Sequence, residues 1–383
     1  MIIKKSRSLP KARPAHLWAD SRTSKDGVHL SELNYSIREN KGGSCKEVSL
    51  GITTVKVSTP TKWQLLRMVQ DMLQGSNYRV LNCQKAIGQV QIFRGEERAY
   101  FGGVMACESV WLCPVCNRRI AYERAQMIRK TLDAGYKMIL LTTTLQHSKA
   151  DALDDLLDAL KLALRKLKQG RWWKDFRERW GVEAYISSYE ITYGYHGWHP
   201  HTHIIIYLSK EIDVQEFWDQ LSQRYVKLVE KGGHYASEYH GLDVREAEGE
   251  AVANYLTKWR SWDLSNELVN SSAKQGREGG QTFWELVASG RDDLVQEYAH
   301  ATFGLKSLTW SHGAKELLGV KDDLDNEQEY DPENEPVVIA KIPEKVWNVI
   351  RSRSLQGYCL ELAVMDQDAL GRYLRELEAG INQ

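Results

Sequence analysis

Two strongly β-forming segments joined by a short turn constrain the fold of this chain more than any other feature. The first is VEAYISSYEITYG (182–194) and the second is HTHIIIYLS (201–209). Both are rich in β-branched and aromatic residues, and the Gly, His and Pro residues between them favour an antiparallel hairpin. A third run of this kind, YKMILLTTTLQ (136–146), predicts a further buried strand.

Amphipathic helical patterns alternate with these strands along the chain. HYASEYHGLDVREA (234–247) can supply one more strand, and helical patterns cover 61–74, 118–135, 152–170, 214–233 and 250–259. This order predicts an α+β domain with a central, mainly antiparallel sheet and helices packed on one of its faces. Helical patterns in PEKVWNVIRSRS and DQDALGRYLRELEAG predict a helical C-terminal segment.

Charge is unevenly distributed, although the formal net charge is zero. Residues 1–80 carry 14 Lys and Arg against six Asp and Glu, whereas residues 321–336 carry eight acidic residues and one Lys. A basic segment attracts phosphate, although a disordered basic arm without a partner has the same composition. The chain has no apolar run of about 18 residues and no signal-peptide core, which predicts a cytoplasmic protein without a membrane-spanning segment.

Four of the six cysteines follow the spacing C-x23-C-x5-C-x2-C between residues 83 and 116. Cys113 and Cys116 can direct two thiolates at one tetrahedral ion, and Cys83 and Cys107 provide a second pair. In a cytosolic chain such clustering favours zinc, with a chance cluster or a redox pair as the alternatives. Four protein ligands leave no open position, so the predicted zinc is structural.

His201 and His203 alternate along a predicted strand, so both imidazoles project from the same face. Glu190 in the preceding strand can supply a third ligand. Two imidazoles and a carboxylate suit a divalent ion such as Mg²⁺ or Mn²⁺, with positions left open for a substrate. The alternative is that the two histidines only line a polar cleft. His199 and His147 are surface or substrate-contacting candidates.

Tyr255 and Lys258 share one face of the short helix predicted at 250–259. Phosphoryl transfer needs a nucleophile, a metal ion that polarises the phosphate, and cations that offset charge in the transition state. A nearby ammonium group and a metal ion would favour the tyrosinate form of the nucleophile. Because the chain has 18 tyrosines, the alternative is a packing role for Tyr255.

The segment RWWKDFRERW (171–180) interleaves aromatic and cationic residues. Such a segment can stack the exposed bases of a single strand. It can equally be a helix whose aromatic residues pack on the sheet, so both interpretations stay open.

Together, these segments resemble the plasmid rolling-circle replication initiators (Rep type) of the HUH endonuclease superfamily, in the single-tyrosine branch. The resemblance covers residues 80–320 and is carried by CESVWLCPVCNRRIA, LLTTTLQHS, YEITYGYHGWHPHTHIII, the Tyr-x-x-Lys helix and EYAHATFGLKSLTWSHGAKELLGV. It implies that His201 and His203 are the paired metal ligands, that Tyr255 is the nicking nucleophile, and that Lys258 is its companion. The LTTT motif (141–144) resembles a structural strand of the family's catalytic sheet.

The resemblance implies sequence-specific nicking of single-stranded or stem-loop origin DNA. The tyrosine would retain a 5′-phosphotyrosine link and release a priming 3′-OH, and a later transesterification would rejoin the strand. Some initiators place a glutamate four residues before the tyrosine for termination, where this chain has Ala251. No Gly-x-x-x-x-Gly-Lys-Ser/Thr loop is present, so a host helicase and a DNA polymerase are implied partners.

Two other functions are compatible with the same residues. One is an HUH transposase or mobilisation relaxase, although relaxases carry their tyrosine near the N-terminus and Tyr255 follows the histidines. The other is a catalytically inactive, zinc-containing DNA-binding protein, which would bind stem-loop DNA without cutting it.

The resemblance and the composition together divide the chain into six regions. These are a basic flexible arm with one short strand near Val48–Val57 (1–58), a zinc-binding module with a basic helix (59–130), an HUH nuclease domain (131–265), an accessory part of the nuclease region (266–320), an acidic linker (321–336) and a small helical C-terminal segment (337–383).

Overall fold

The computed structural model describes residues 46–50, 53–57, 60–95, 98–246, 280–320 and 337–381. Within these ranges the chain is α+β, as predicted, and every strand pair is antiparallel. None of the described helices is long and apolar enough to cross a bilayer. In chain order the elements are β1 (Lys46–Leu50), β2 (Thr53–Val57), α1 (Lys62–Met72), β3 (Ala86–Arg94), β4 (Ala99–Val104), α2 (Pro114–Lys130), β5 (Lys137–Thr144), α3 (Leu153–Leu167), α4 (Gly170–Trp180), β6 (Val182–Gly194), β7 (Gly197–Leu208), α5 (Val214–Lys231), β8 (Leu242–Glu246), α6 (Phe283–Ala288), α7 (Asp292–Ala301), β9 (Leu308–Trp310), α8 (Ala314–Leu317), β10 (Val337–Ile342), α9 (Glu344–Ser352), α10 (Gln356–Met365) and α11 (Gln367–Ile381).

The predicted hairpin forms the centre of a five-stranded sheet with the order β8-β5-β7-β6-β9. β6 and β7 pair along almost their whole length, from Val182 opposite Leu208 to Gly194 opposite Gly197. Gly197 has a φ of +90°, and a Cβ there would lie 2.8 Å from the carbonyl oxygen of Ser148. The hairpin turn therefore requires glycine at this position.

Helices pack on both faces of this sheet, so the expectation of helices on one face is wrong. One face, which includes Ile204 and Ile206, contacts α3 and α5, whereas the opposite face, which includes Ile205 and Tyr207, contacts α2 and α8. The reason is visible in β7, where five consecutive residues from Ile204 to Leu208 are apolar and buried. A strand that is apolar at every position must be covered on both sides.

A second, three-stranded sheet has the order β10-β3-β4. Three C-terminal helices, α9 to α11, share a core with it around the fully buried Trp347. The indole Nε1–H of Trp347 donates to the carbonyl oxygen of Gln84 at 2.8 Å, next to the first clustered cysteine. Residues 337–381 therefore pack directly on the region that contains the four clustered cysteines (83–116), called the cysteine-containing region.

The aromatic and basic segment forms α4, and its aromatic residues pack inward. Phe176 and Trp180 are buried, and the ring of Phe176 lies 4.9 Å from that of Phe217 in α5. Trp173 contacts Tyr185 of β6 edge-on, with ring centroids 6.2 Å apart. This packing favours the structural interpretation of the segment over base stacking. In the N-terminal region, β1 and β2 form a hairpin where one short strand was expected.

Candidate metal centres

Cys83, Cys107, Cys113 and Cys116 converge in the core, each no more than 3% exposed. Their sulfur atoms lie 3.5 Å (Cys83–Cys113), 3.8 Å (Cys83–Cys116) and 3.7 Å (Cys107–Cys116) apart. A tetrahedron of sulfurs around zinc, with Zn–S distances of about 2.3 Å, has edges of about 3.8 Å. Three of the six sulfur pairs therefore have the spacing of a zinc site, and all four sulfurs lie within 4.8 Å of one another.

The backbone around the cluster is arranged in tight turns. Cys113 caps the N-terminus of α2, where its sulfur accepts a hydrogen bond from the backbone N–H of Cys116 at 3.4 Å. Gln84 and Glu108, which directly follow the other two cysteines, have φ angles of 66° and 55°. Left-handed conformations of this kind cost about 1 kcal/mol or more and persist where the surroundings impose them.

The protonation of the thiols also fits a bound cation. Burial raises the pKa of the Cys113 thiol well above its usual value, whereas hydrogen bonds from the Cys107 and Cys113 thiols lower the pKa of Cys116. A thiolate held in the core requires a compensating positive charge. All described cysteines are free thiols, so no disulfide competes with this role in the described part of the chain.

Glu190, His201 and His203 converge on the central sheet, as their strand positions predict. Glu190 is opposite His201 in the β6–β7 register. The Nε2 atoms of both histidines contact the Oε2 atom of Glu190, at 3.0 Å for His203. The candidate ligand atoms all lie within 4.8 Å of one another, on the sheet face that α2 covers.

Hydrogen bonds on the far side of each ring orient the two imidazoles. The Nδ1 atom of His203 lies 3.1 Å from the Oγ1 atom of Thr142 in β5, and Nδ1–H of His201 donates to the carbonyl oxygen of His199 at 3.3 Å. Both Nε2 atoms are thereby directed at Glu190, which is the arrangement that supports metal ligation by histidine. Three ligands leave coordination positions open, so the group fits a divalent ion that also binds a substrate.

Glu190 and His201 form an ion pair in which each group favours the charged form of the other. Burial disfavours the charged form of Glu190, but the His201 charge and hydrogen bonds from both imidazoles outweigh it and lower the pKa of this carboxyl. Burial likewise disfavours a charged His201, but Glu190 outweighs it and raises the pKa of this imidazole. The buried carboxylate therefore attracts a cation to this position.

The imidazoles of His147 and His199 extend the site beyond the triad. The rings of His147 and His199 stack at 4.8 Å, and the His199 ring lies 4.9 Å from that of His201. Burial, followed by the charges of His201 and His147, lowers the pKa of His199 to about 4. His199 is therefore a neutral ring beside the triad. Thr142 was missed as a supporting residue, because only the β5–β7 register reveals that it is opposite His203.

A cleft of about 120 Å³ adjoins Glu190 and His203. One of its walls comes from the cysteine-containing region, and the indole Nε1–H of Trp111 ties this region to the carbonyl oxygen of Leu305 at 2.8 Å. The two candidate metal centres therefore border the same part of the molecule. The remaining lining residues are Val110, Asn117, Ser188, Tyr189, Ile191, Thr192, Thr282, Phe283, Trp284, Tyr298 and Ser307.

Tyr255 and Lys258, the expected nucleophile and its companion, lie outside the described residues. The last element described before these residues is β8, which pairs with β5. After them, Gln281 pairs with Tyr193 near the turn of the β6–β7 hairpin.

Comparison with known proteins identifies the family. A family model described as "Replication protein" matches residues 102–328. The chain belongs to this replication protein family. Protein rep of Streptomyces lividans is 26% identical over 365 aligned residues, which cover 72% of this chain and 80% of the relative. The neomycin resistance protein of Streptomyces cyanogenus is 30% identical over 142 residues, covering 30% of this chain and 32% of the relative. No solved structure matches the chain.

Membership of the replication protein family confirms the expected relationship to Rep-type replication initiators. The matched range contains the triad of Glu190, His201 and His203, and it extends through Tyr255. It also contains three of the four clustered cysteines, since Cys83 precedes it.

Proposed function

We propose that this replication initiator nicks single-stranded DNA at a stem-loop origin, with Tyr255 as the covalent nucleophile and a divalent ion held by Glu190, His201 and His203. The observation that carries the proposal is the convergence of these three side chains, whose ligand atoms lie within 4.8 Å of one another. The two imidazole rings are oriented by hydrogen bonds at their Nδ1 atoms, on the side away from Glu190, as is usual for metal-ligating histidines.

The three residues would hold Mg²⁺ or Mn²⁺, which when bound polarises the scissile phosphate and neutralises charge on it. The protein itself fixes the positions of the ligand side chains. Pairing of β6 with β7 fixes Glu190 beside His201, and pairing of β7 with β5 fixes Thr142 beside His203. Such preorganisation is what a phosphoryl-transfer site requires, because catalysis there is mainly alignment and electrostatic stabilisation.

In the proposed step, the Tyr255 oxygen attacks the phosphorus of one phosphodiester, and the bond from phosphorus to the 3′ oxygen breaks. The phenol proton leaves to solvent or a base, and the departing 3′ oxygen takes up a proton to become a 3′-OH. The phosphate stays on Tyr255 as a 5′-phosphotyrosine, which Lys258 would stabilise by its charge. A later attack by a 3′-OH on this ester rejoins DNA without another energy source, since one phosphoester replaces another.

The four cysteines would hold zinc in a structural role. Their number leaves no open coordination position, and their burial keeps substrate away. Unwinding and synthesis would fall to a host helicase and a DNA polymerase, since the sequence has no phosphate-binding loop of its own.

The decisive experiment incubates the protein and Mn²⁺ with a stem-loop origin oligonucleotide labelled at its 3′ end. We expect a protein–DNA adduct that survives denaturation and carries the labelled downstream fragment. Tyr255→Phe should abolish the adduct, whereas the matched control Tyr239→Phe, at a tyrosine 79% exposed, should leave it unchanged.

Persistence of the adduct in Tyr255→Phe would show that another residue is the nucleophile. Binding of the stem-loop without any cleavage, in Mn²⁺ and in Mg²⁺ alike, would favour the inactive DNA-binding alternative. Mapping the adducted peptide by mass spectrometry identifies the modified residue directly.

A further inference from the structure

The solvent-facing side of α2 carries two arginines and a tyrosine on one stripe. Arg118, Tyr122 and Arg129 are separated by four and seven residues, which places them on one stripe. Lys130, the last residue of α2, projects about 100° around the helix axis from Arg129. All four side chains are exposed, that of Tyr122 by 60%. We call these four residues the basic face of α2.

The cations of the basic face have no carboxylate partner among the residues that the structure describes. By contrast, the neighbouring Arg119 pairs with Glu108 at 2.6 Å and with Glu123 at 2.7 Å. Lys62 at the start of α1 lies close to Arg118, since burial and then the charge of Arg118 lower the pKa of Lys62 to about 8. Like charges held together without counter-charges attract an anionic partner.

The basic face is held rigidly relative to the triad. Cys113 caps the N-terminus of α2 and Cys116 lies in its first turn, while its C-terminal half packs on the central sheet through Ile128. Just beyond the helix, the hydroxyls of Thr131 and Tyr207 lie 2.7 Å apart. Tyr207 and His203 are four residues apart on β7, so their side chains project from the same face of the sheet. Helix α2 therefore lies on the same face as the triad.

We propose that the basic face of α2 binds the phosphates of double-helical DNA, as a second DNA-contact surface beside the single-strand site; this inference rests on the proposed nicking function. Arg118 and Arg129 are 11 residues apart, which is about 16 Å along a helix. One strand of a duplex presents a phosphate about every 3.4 Å of its axis, so the stripe spans several phosphates. The Tyr122 hydroxyl can donate to a phosphate oxygen between them.

The choice of a duplex follows from the stiffness of α2. Arg118 and Arg129 are fixed in line by helix geometry and by packing at both ends of α2, which matches the regular backbone of a helical stem. A single strand is bound instead by a groove with stacking aromatic residues. Tyr122 alone does not form such a platform.

The test compares duplex binding by the wild-type protein and the triple variant Arg118→Gln, Arg129→Gln and Lys130→Gln. The probes are a fluorescent mixed-sequence duplex and its single-stranded counterpart of equal length, titrated over a series of NaCl concentrations. Phosphate contacts are independent of sequence, so the origin is not needed. Loss of three contacts should reduce the slope of log K against log salt by about 2.7, and weaken duplex binding on the order of a hundredfold at about 0.1 M salt.

The matched control removes the same charge from the opposite face of the sheet, by Arg165→Gln, Lys166→Gln and Lys231→Gln on α3 and α5. It should keep the wild-type slope. An unchanged slope in the α2 variant, or an equal loss in the control, would overturn the proposal. Equal losses for duplex and single strand would overturn the assignment to double-helical DNA.

Zinc content and the thermal melting curve of the α2 variant establish that it is folded. Nicking of a short single-stranded oligonucleotide separates this inference from the proposed function. The α2 variant should nick it at the wild-type rate, because none of its altered residues belongs to the triad. If none of the proteins nicks but the α2 variant still loses duplex binding, the proposed nicking activity would be rejected and the proposed duplex-binding surface would stand.

Discussion

The two metal-ligating clusters differ in ligand type, number and setting. The four cysteines are buried thiols that can surround one ion completely. The triad offers two imidazoles and one carboxylate beside a cleft, and the Glu190 side chain is 12% exposed. A closed set of soft ligands suits a structural ion, whereas an incomplete set of harder ligands suits one that also contacts substrate. The two clusters therefore suit different roles, one in stabilising the fold and the other in contacting a substrate.

The clusters also differ in how the fold assembles them. The cysteines come from turns and the start of α2, where little regular structure constrains them. The triad comes from neighbouring strands of one sheet, where pairing fixes each side chain. Loss of a cysteine should therefore damage the fold, while loss of a triad residue should damage only the chemistry.

The largest expected effect is that of Cys116→Ser. The variant should lose its tightly bound zinc, and its melting temperature should fall on the order of 10 °C, because structural zinc supplies folding free energy. Elemental analysis and calorimetry measure the two quantities. The matched control is Cys359→Ala, at a buried cysteine outside the cluster, which should keep the zinc. Retention of zinc by Cys116→Ser would remove the distinction between the clusters.

His203→Gln removes one imidazole ligand from the triad. Loss of one ligand should slow nicking on the order of a thousandfold, the rate equivalent of several kcal/mol of transition-state stabilisation. Zinc content and melting temperature should change little, and the exposed control His240→Gln should nick normally. A variant that nicks at the wild-type rate, or that loses its zinc, would contradict the assignment of this cluster.

A smaller effect is expected for Thr142→Val, which removes the hydroxyl near Nδ1 of His203. Supporting hydrogen bonds to ligating histidines typically account for about 10-fold to 100-fold in metal affinity. The Mn²⁺ concentration for half-maximal nicking should rise by that factor, with the rate at saturating Mn²⁺ largely retained. Thr144→Val is the control, since its hydroxyl donates to the carbonyl oxygen of Pro200. Equal shifts in both variants would show that Thr142 has no special role.

The smallest effect is expected for Glu108→Gln, beside the cysteine cluster. Glu108 pairs with Arg119 at the surface, and exposed ion pairs contribute about 0–1 kcal/mol. Zinc content and nicking should both be unchanged. The equivalent change in the triad, Glu190→Gln, should abolish nicking. The same substitution of glutamine for glutamate is thereby tested beside each cluster. Loss of nicking in Glu108→Gln would mean that the closed cluster takes part in the reaction.

Much of the central sheet could be predicted from local pattern. The β-branched runs located β5, β6 and β7 within a few residues, and alternation placed His201 and His203 on one face. Glu190 could also be predicted to join them, because it is the carboxylate of the adjoining strand. These features are encoded over short distances, so one sequence suffices to detect them.

Features that depend on distant pairing were not predictable. β3 carries Gly88, Gln89 and Gln91, which interrupt its apolar alternation, and its partner β10 lies more than 240 residues away. The helix α10 has apolar residues around its whole circumference, so it lacks the one-sided pattern by which helices are recognised. Helices on both faces of the sheet became evident only from the packing of α2.

The most direct test of the division between the clusters is one Mn²⁺ titration of chelator-treated protein, with zinc content and covalent DNA adduct measured in each sample. About one zinc per chain should resist mild chelation, while adduct formation falls to background and returns only as Mn²⁺ is added. Adduct formed in full without added divalent ion, or lost in proportion to zinc and restored by zinc alone, would contradict this division of roles.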